Sequence, residues 1–387
     1  MPGYKPKNWI ARYLPAKPDR AVLRLGEGFW RSAAQWSALA FFLAVGLSAI
    51  GYSFWGGKTV SGTFGWLSRT EPDRIEPADV GVAEVAPDGP VRAVDGRPLP
   101  EGVSDGPYYA VTVDNHAHAR PLSGLASAPL VYEVPAEGGI TRFLAVYPNG
   151  DLVRRIGPVR SARPYFLDWA AEFDALYAHV GGSPESLEGI KVRDDIFDLN
   201  EYWNGRYFWR DTSRVAPHMI FTSTGLLSSA FAAKYGESEI RKVGVRPFKG
   251  DAEIGDRPSS VPDLTIDWST PAYSVAWRYD REGNDYARHQ NGARQEDEDG
   301  SPVRAKNVIV EFHDIRVTDS VGRRKIDTVG EGRAIVIRDG LVLEATWKKP
   351  AVSERTGYFS PNGEEIPLNV GQTWVEIVPN GLDVGGL

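Results

Sequence analysis

The 387-residue chain contains no cysteine. That absence excludes disulfides, thiolate zinc sites, a cysteine nucleophile and a lipid-modified bacterial cysteine. It does not fix a compartment, because an extracellular protein of this size folds without covalent staples. Also missing are a G-x-S-x-G elbow, a Walker loop and a dinucleotide G-x-G-x-x-G after a strand. No cofactor is therefore expected, and the reading leans away from an enzyme. Internal repeats are absent too. Total charge is −7, with 42% hydrophobic and 25% charged residues, an ordinary globular composition with room for two domains.

Charge is unevenly distributed. Residues 1–36 carry seven lysines and arginines against Asp19 and Glu27, a net +5, so the remainder of the −7 chain is −12. Ser37 to Phe54, "SALAFFLAVGLSAIGYSF", has no charge and is flanked by Trp36 and Trp55. At ~1.5 Å per residue the run approaches the ~30 Å hydrocarbon thickness. The pattern predicts one transmembrane helix over 37–55 and, by the positive-inside rule, a plasma-membrane protein with a cytoplasmic tail and extracytoplasmic bulk. A cleaved signal peptide is the competing reading; its basic region would be long and its cleavage site poor. An acidic ectodomain is a poor nucleic-acid partner, so none is expected.

Residues 56–90 form an acidic, proline-rich spacer. Over 91–245, β-rich runs such as "YYAVTVDN" and "TRFLAVYP" alternate with the helical spacing of "PYFLDWAAEF" and "GLLSSAFAAKYG". An α/β ectodomain with a mixed or parallel sheet is predicted there. Residues 246–262 read as a linker, and 263–387 as a smaller β-rich domain, either a partly closed barrel or a sandwich.

One stretch concentrates positive charge: "RRIGPVRSARPYFLDWAAEF", from Arg154. Pro164 suits a first helical position, with Phe166, Trp169, Ala170 and Phe173 on the core side and Asp168 and Glu172 on another. Arg160 and Arg163 then stand at a helix N-terminus, where free N–H groups and forked guanidiniums suit carboxylate or phosphate. The competing reading pairs them with the domain's own carboxylates, Asp168, Glu133 or Glu137. In 202–223, aromatics alternate with Arg206, Arg210 and Arg214 ahead of His218, a mixture suited to sugar stacking, although Tyr202, Phe208 and Trp209 equally suit packing on a sheet. Asp114, His116 and His118 alternate as metal ligands would, with His179 and His218 elsewhere; the spacing matches no metal motif and no metal is assigned. Glu133 and Glu137 read as turn acids, and "QEDEDG", 295–300, as a solvated loop.

With these residues in view, the chain resembles the YerB-like family of bacterial lipoproteins, a two-domain family of unknown function. The likeness lies in "VDNHAHARPLSGLASAPLVYEVPAEGGITRFLAVY", "IGPVRSARPYFLDWAAEFDALYAHVGGSP", "YFWRDTSRVAPHMIFTS", "KNVIVEF" and "LNVGQTWVEIVP", and spans roughly 92–380. The resemblance implies an envelope-facing α/β domain followed by a smaller domain, without a reaction to transfer. Departing from the lipoprotein pattern, this chain has no cysteine to lipidate, so anchoring falls to the apolar run. Candidate ligand-binding positions are Asn115, Arg120, Arg142, Arg160, Ser161, Arg163 and Arg214, for an anionic wall polymer, carboxylate or phosphate. Glu137, Asp211, His179 and His218 are the acid–base candidates of an alternative hydrolase reading. A third reading is a protein-interaction scaffold.

Overall fold

The computed structural model describes residues 89–236 and 238–387. The basic tail, the expected membrane helix at 37–55 and nearly all of the spacer lie outside the described residues. Among those described, no helix is long and apolar enough to cross a membrane.

Ten strands form the main sheet: β1 (Tyr108–Asp114), β2 (Leu130–Pro135), β3 (Thr141–Pro148), β4 (Leu176–His179), β5 (Phe197–Asn200), β6 (Asn307–His313), β7 (Gly330–Arg338), β8 (Leu341–Lys349), β9 (Gly357–Phe359) and β10 (Thr373–Pro379). Their spatial order is β9-β8-β7-β6-β10-β2-β3-β1-β4-β5. β1, β4 and β5 run parallel to one another, as do β6, β10 and β2, and the remaining neighbours are antiparallel. The sheet is mixed, as the alternation of strand and helix patterns predicts.

The β-rich C-terminal part forms neither a closed barrel nor a free-standing sandwich. Five of its strands continue the N-terminal sheet, joined where β2 lies parallel to β10 with Val131 opposite Trp374 and Glu133 opposite Glu376. Others, including Leu264–Asp267, Ser274–Asp280 and Asp285–Gln290, build a second sheet. The physical reason is burial on both faces: β6 and β10 alternate apolar side chains to opposite sides, and each side needs cover. On one side Val111, Phe143, Val310 and Trp374 pack with Trp277 and Ile266 of the second sheet. On the other, Tyr132, Leu144, Val336 and Ile377 pack with Phe166, Trp169 and Ala170 of helix α1 (Pro164–Glu172).

Three sequence expectations change. The 246–262 segment is more than a linker: Phe248–Lys249 pairs with Leu368–Asn369, and Phe248 is buried. Glu172 lies fully buried, bonded by Lys349 Nζ at 3.0 Å and the Thr356 amide at 3.0 Å. The acidic 295–300 loop docks instead of facing solvent: Asp297 accepts from the Gly124 and Ala126 amides at 3.0 and 2.9 Å, meeting two backbone donors that burial would strand. Burial pushes the Asp297 carboxyl up to about 6.

Candidate functional site

The arginine-bearing loop ahead of α1 crosses one edge of the main sheet. There the C-terminal ends of β1 and β4 stand beside the first residues of β3. Ligands of open α/β sheets settle beyond the carboxyl ends of parallel strands. Backbone bonds stitch the loop to both strands: Asp114 N to Pro158 O at 2.9 Å, Arg160 N to Thr112 O at 2.8 Å, and Val180 N to Arg160 O at 3.0 Å. Gly157 permits the crossing, since its φ is +143° and a Cβ would sit 2.9 Å from the Ile220 carbonyl oxygen. Pro164 occupies the first turn of α1, with Arg163 at the N-cap position and offering no side-chain cap.

Side-chain alternation decides which polar groups meet. In β1, Tyr109, Val111 and Val113 serve one core, leaving Thr112 and Asp114 on the α1 side. Arg142 lies opposite Asp114 in the β1–β3 register. Asp114 is fully buried: its Oδ1 accepts the His116 amide at 2.9 Å, and its Oδ2 lies 2.7 Å from His218 Nδ1 and 3.0 Å from Arg160 Nε. An acceptor-only carboxylate requires the proton on Nδ1 of His218. Burial works to raise the Asp114 carboxyl, but Arg160, the His116 amide, Arg142 and His218 outweigh it and hold it below its ordinary value. His116 stacks on His218, ring centres 4.9 Å apart and 14° between planes, with His118 edge-on at 5.0 Å from His116. The rings stack rather than converge, and among the described residues no group of three such side chains is arranged to hold a metal ion.

Arg163 forks onto Glu137, Nε to Oε1 at 2.5 Å and Nη2 to Oε2 at 2.7 Å, so the reading that pairs this arginine with its own domain holds for it. Arg142 behaves differently. Its side chain is 4% exposed, its closest carboxylate oxygen is Glu137 Oε2 at 4.0 Å, and Nε and Nη1 have no hydrogen-bond partner. Burial and the neighbouring Arg163 both depress its pKa. Next to it the Tyr165 hydroxyl is likewise buried and unpartnered. Burial pushes that phenol up to about 12, against the opposing pull of Arg142 and Arg163.

The other sequence candidates lie elsewhere. Arg120 points to the opposite side of the sheet, bonding Asn115 Oδ1 at 3.1 Å, Asn115 O at 3.0 Å and Ala272 O at 2.9 Å. Asn115 in turn donates to Thr141 Oγ1 at 2.6 Å. Arg214 binds Ala119 O at 2.7 Å, Pro121 O at 2.8 Å and Glu298 Oε1 at 3.2 Å. Arg155, which sequence reasoning passed over, joins Asp211 and Glu298 in the same cluster. Ser161 is half-buried beside Arg160. The four acid–base candidates share no partner: Glu137 pairs with Arg163, Asp211 with Arg155, His218 with Asp114, and His179 with Gly181 O at 2.6 Å and Asp198 Oδ1 at 2.8 Å. Phe208 is buried and Trp209 stacks on Phe221, whereas Tyr202 is 65% exposed and does not pack on the sheet. Tyr165 was not singled out from the sequence; nothing in its spacing marks an unpartnered hydroxyl.

Comparison with known proteins follows the same two-part division. The profile "Protein of unknown function (DUF3048) N-terminal domain" matches residues 96–239, and its C-terminal counterpart matches 264–375. A Bacillus subtilis (strain 168) protein described as "Putative lipoprotein YerB" is 32% identical over 284 residues, covering 72% of this chain and 82% of the relative. The crystal structure of the Bacillus subtilis YerB protein aligns with a TM-score of 0.67 at 29% identity, over 76% of this chain and 97% of that one. With both domains matched in order and a relative aligned over most of its length, the chain belongs to the YerB-like family of unknown function.

Proposed function

We propose that the protein is membrane-anchored and envelope-facing, and that its N-terminal half binds an anionic ligand at Arg142, on the lip where Arg160 and Arg163 pair with Asp114 and Glu137. The anchoring half of this reading draws on the order of basic tail, uncharged run and acidic remainder in the sequence, and on the description of its relative as a lipoprotein. Without a cysteine to lipidate, this chain takes its anchor from the apolar run at 37–54.

The binding half rests on one observation: Arg142 is almost wholly buried yet has two donor nitrogens without a partner. Buried guanidiniums are ordinarily paired, because stripping the water from an unpaired charge costs several kcal/mol, roughly, even after relaxation. A carboxylate or phosphate oxygen supplies the missing acceptors. Isothermal titration of the full-length chain with inorganic phosphate and with the dipeptide Ala-Ala tests it. At least one is expected to bind, and Arg142→Gln to weaken binding tenfold or more while the melting temperature changes little. Equal binding by wild type and variant, or no binding by either anion, removes the reading.

A further inference from the structure

Resting on that anion-binding reading, we infer that the ligand is a peptide-like carboxylate, recognised at the Tyr165 hydroxyl and admitted through a cavity whose outer wall belongs to the C-terminal half. The cavity, about 390 Å³, lies at the start of α1 and is lined by Tyr165, Asp168 and Glu185 from the N-terminal half and by Arg324, Lys325 and Asp327 from the C-terminal half. Its volume falls within the ~300–1,000 Å³ of small-ligand sites.

Two unpartnered polar groups lie at or next to this lining. Tyr165, a lining residue, carries a buried hydroxyl with no partner, and Arg142 beside it carries two buried, unpartnered nitrogens. Arg142 and Arg163 pull this hydroxyl's pKa down and Glu137 pushes it up, and Arg324 lines the same cavity. Arg163 is committed to Glu137, whereas Arg324 has a single long bond, Nε to Ala136 O at 3.5 Å, and no ion pair among the described residues. A phenol donor flanked by guanidinium forks matches one carboxylate with its two oxygens.

Three acids, Asp168, Glu185 and Asp327, share the lining with Arg324 and Lys325, and of these acids Glu185 is exposed without an ion pair among the described residues. Asp168 is held by Arg193 Nη1 at 2.5 Å and the Thr328 hydroxyl at 2.6 Å, and Asp327 by Arg316 at 2.6 Å. A polyanion such as a phosphate polymer would run its second charge against the unpaired Glu185. A chain with one terminal anion and a neutral or cationic body, such as a peptide C-terminus, meets guanidinium at one end and Glu185 at the other.

Calorimetric titration of the full-length protein with Ala-Ala, its C-terminal amide and inorganic phosphate tests this. Ala-Ala is expected to bind at least tenfold more tightly than the amide, and Tyr165→Phe and Arg324→Gln each to weaken it fivefold or more. Arg324 is half-buried on a short two-stranded pairing with a single long hydrogen bond, so its variant keeps the test open should Tyr165→Phe lower stability. If phosphate binds in an Arg142-dependent way while Ala-Ala does not, the peptide inference is overturned and the anion reading stands. If neither binds, both fall. Ala-Ala binding unaffected by either substitution overturns the placement at this cavity.

Discussion

Arg142, projecting from β3 on the α1 side of the main sheet, and Arg288, reaching that sheet from the second sheet on its other side, are both buried arginines whose surroundings differ. Arg288 lies on the second-sheet side, fully buried, donating to Glu133, Gln295 and Gln290, with Trp374, Phe143 and Trp277 rings around its guanidinium. Arg142, on the α1 side, has no hydrogen-bonded partner for Nε or Nη1 and only a distant carboxylate. Two guanidiniums of equal burial thus have different consequences. One spends both terminal nitrogens in joining β2 of the N-terminal part to the second sheet, leaving only Nε unpartnered, and the other has both Nε and Nη1 unspent. A buried charge informs about function mainly through what it lacks.

The largest effect that would break this contrast comes from Arg288→Met. Leaving Glu133 buried without its cation is expected to cost about 3–5 kcal/mol, read as a large drop in melting temperature, whereas Arg142→Gln leaves melting nearly unchanged. Equal losses for the two would show Arg142 to be structural as well.

Next in size, Arg214→Gln removes bonds to the Ala119 and Pro121 carbonyls, with an expected cost of about 1–2 kcal/mol and no effect on anion titration. Weakened anion binding in this variant would place Arg214 in the site after all.

The smallest change concerns Glu376, opposite Glu133 in the β2–β10 register and bonded by Trp277 Nε1 at 2.8 Å. Burial, then the charge of Glu133, raises its carboxyl well above the ordinary 4.5, against the pull of Arg288. The folded state therefore holds this proton more tightly than the unfolded chain. Its contribution to stability is present below the ordinary carboxyl range and declines as pH rises above it toward the folded value. Glu376→Gln, neutral at every pH, is expected to flatten that decline and to match or exceed wild-type melting at pH 8. A steeper decline in the variant would reverse the sign assigned here.

Much of the fold was legible because it depends on local pattern. Short β-rich runs marked β1 to β4, Pro164 the start of α1, and the apolar stripe of Phe166, Trp169, Ala170 and Phe173 its buried face. Strand β5 and helix α2 (Pro184–Val192), which buries only Ser186, carry weaker patterns and went unread. The pairing of β2 with β10 was not legible, since the partners are more than 240 residues apart in sequence and parallel register leaves no turn signal. Of the site, Arg160 and Arg163 were foreseen at the helix N-terminus, and Arg142 as a candidate. Asp114 was read as a metal candidate, while Arg324 and the Tyr165 hydroxyl were not anticipated.

By itself the sequence determined the absence of thiol chemistry, the lopsided charge of tail and remainder, the strand and helix segments, and an arginine-bearing loop opening on a helix. Those follow from residue type and short-range spacing, which the chain carries along its length. Which arginines are spent and which are not was decided by tertiary structure alone. Pairing depends on carboxylates that arrive from distant strands and loops, Asp114 for Arg160, Glu137 for Arg163 and Glu298 for Arg214, and on the burial that makes an unpaired guanidinium costly.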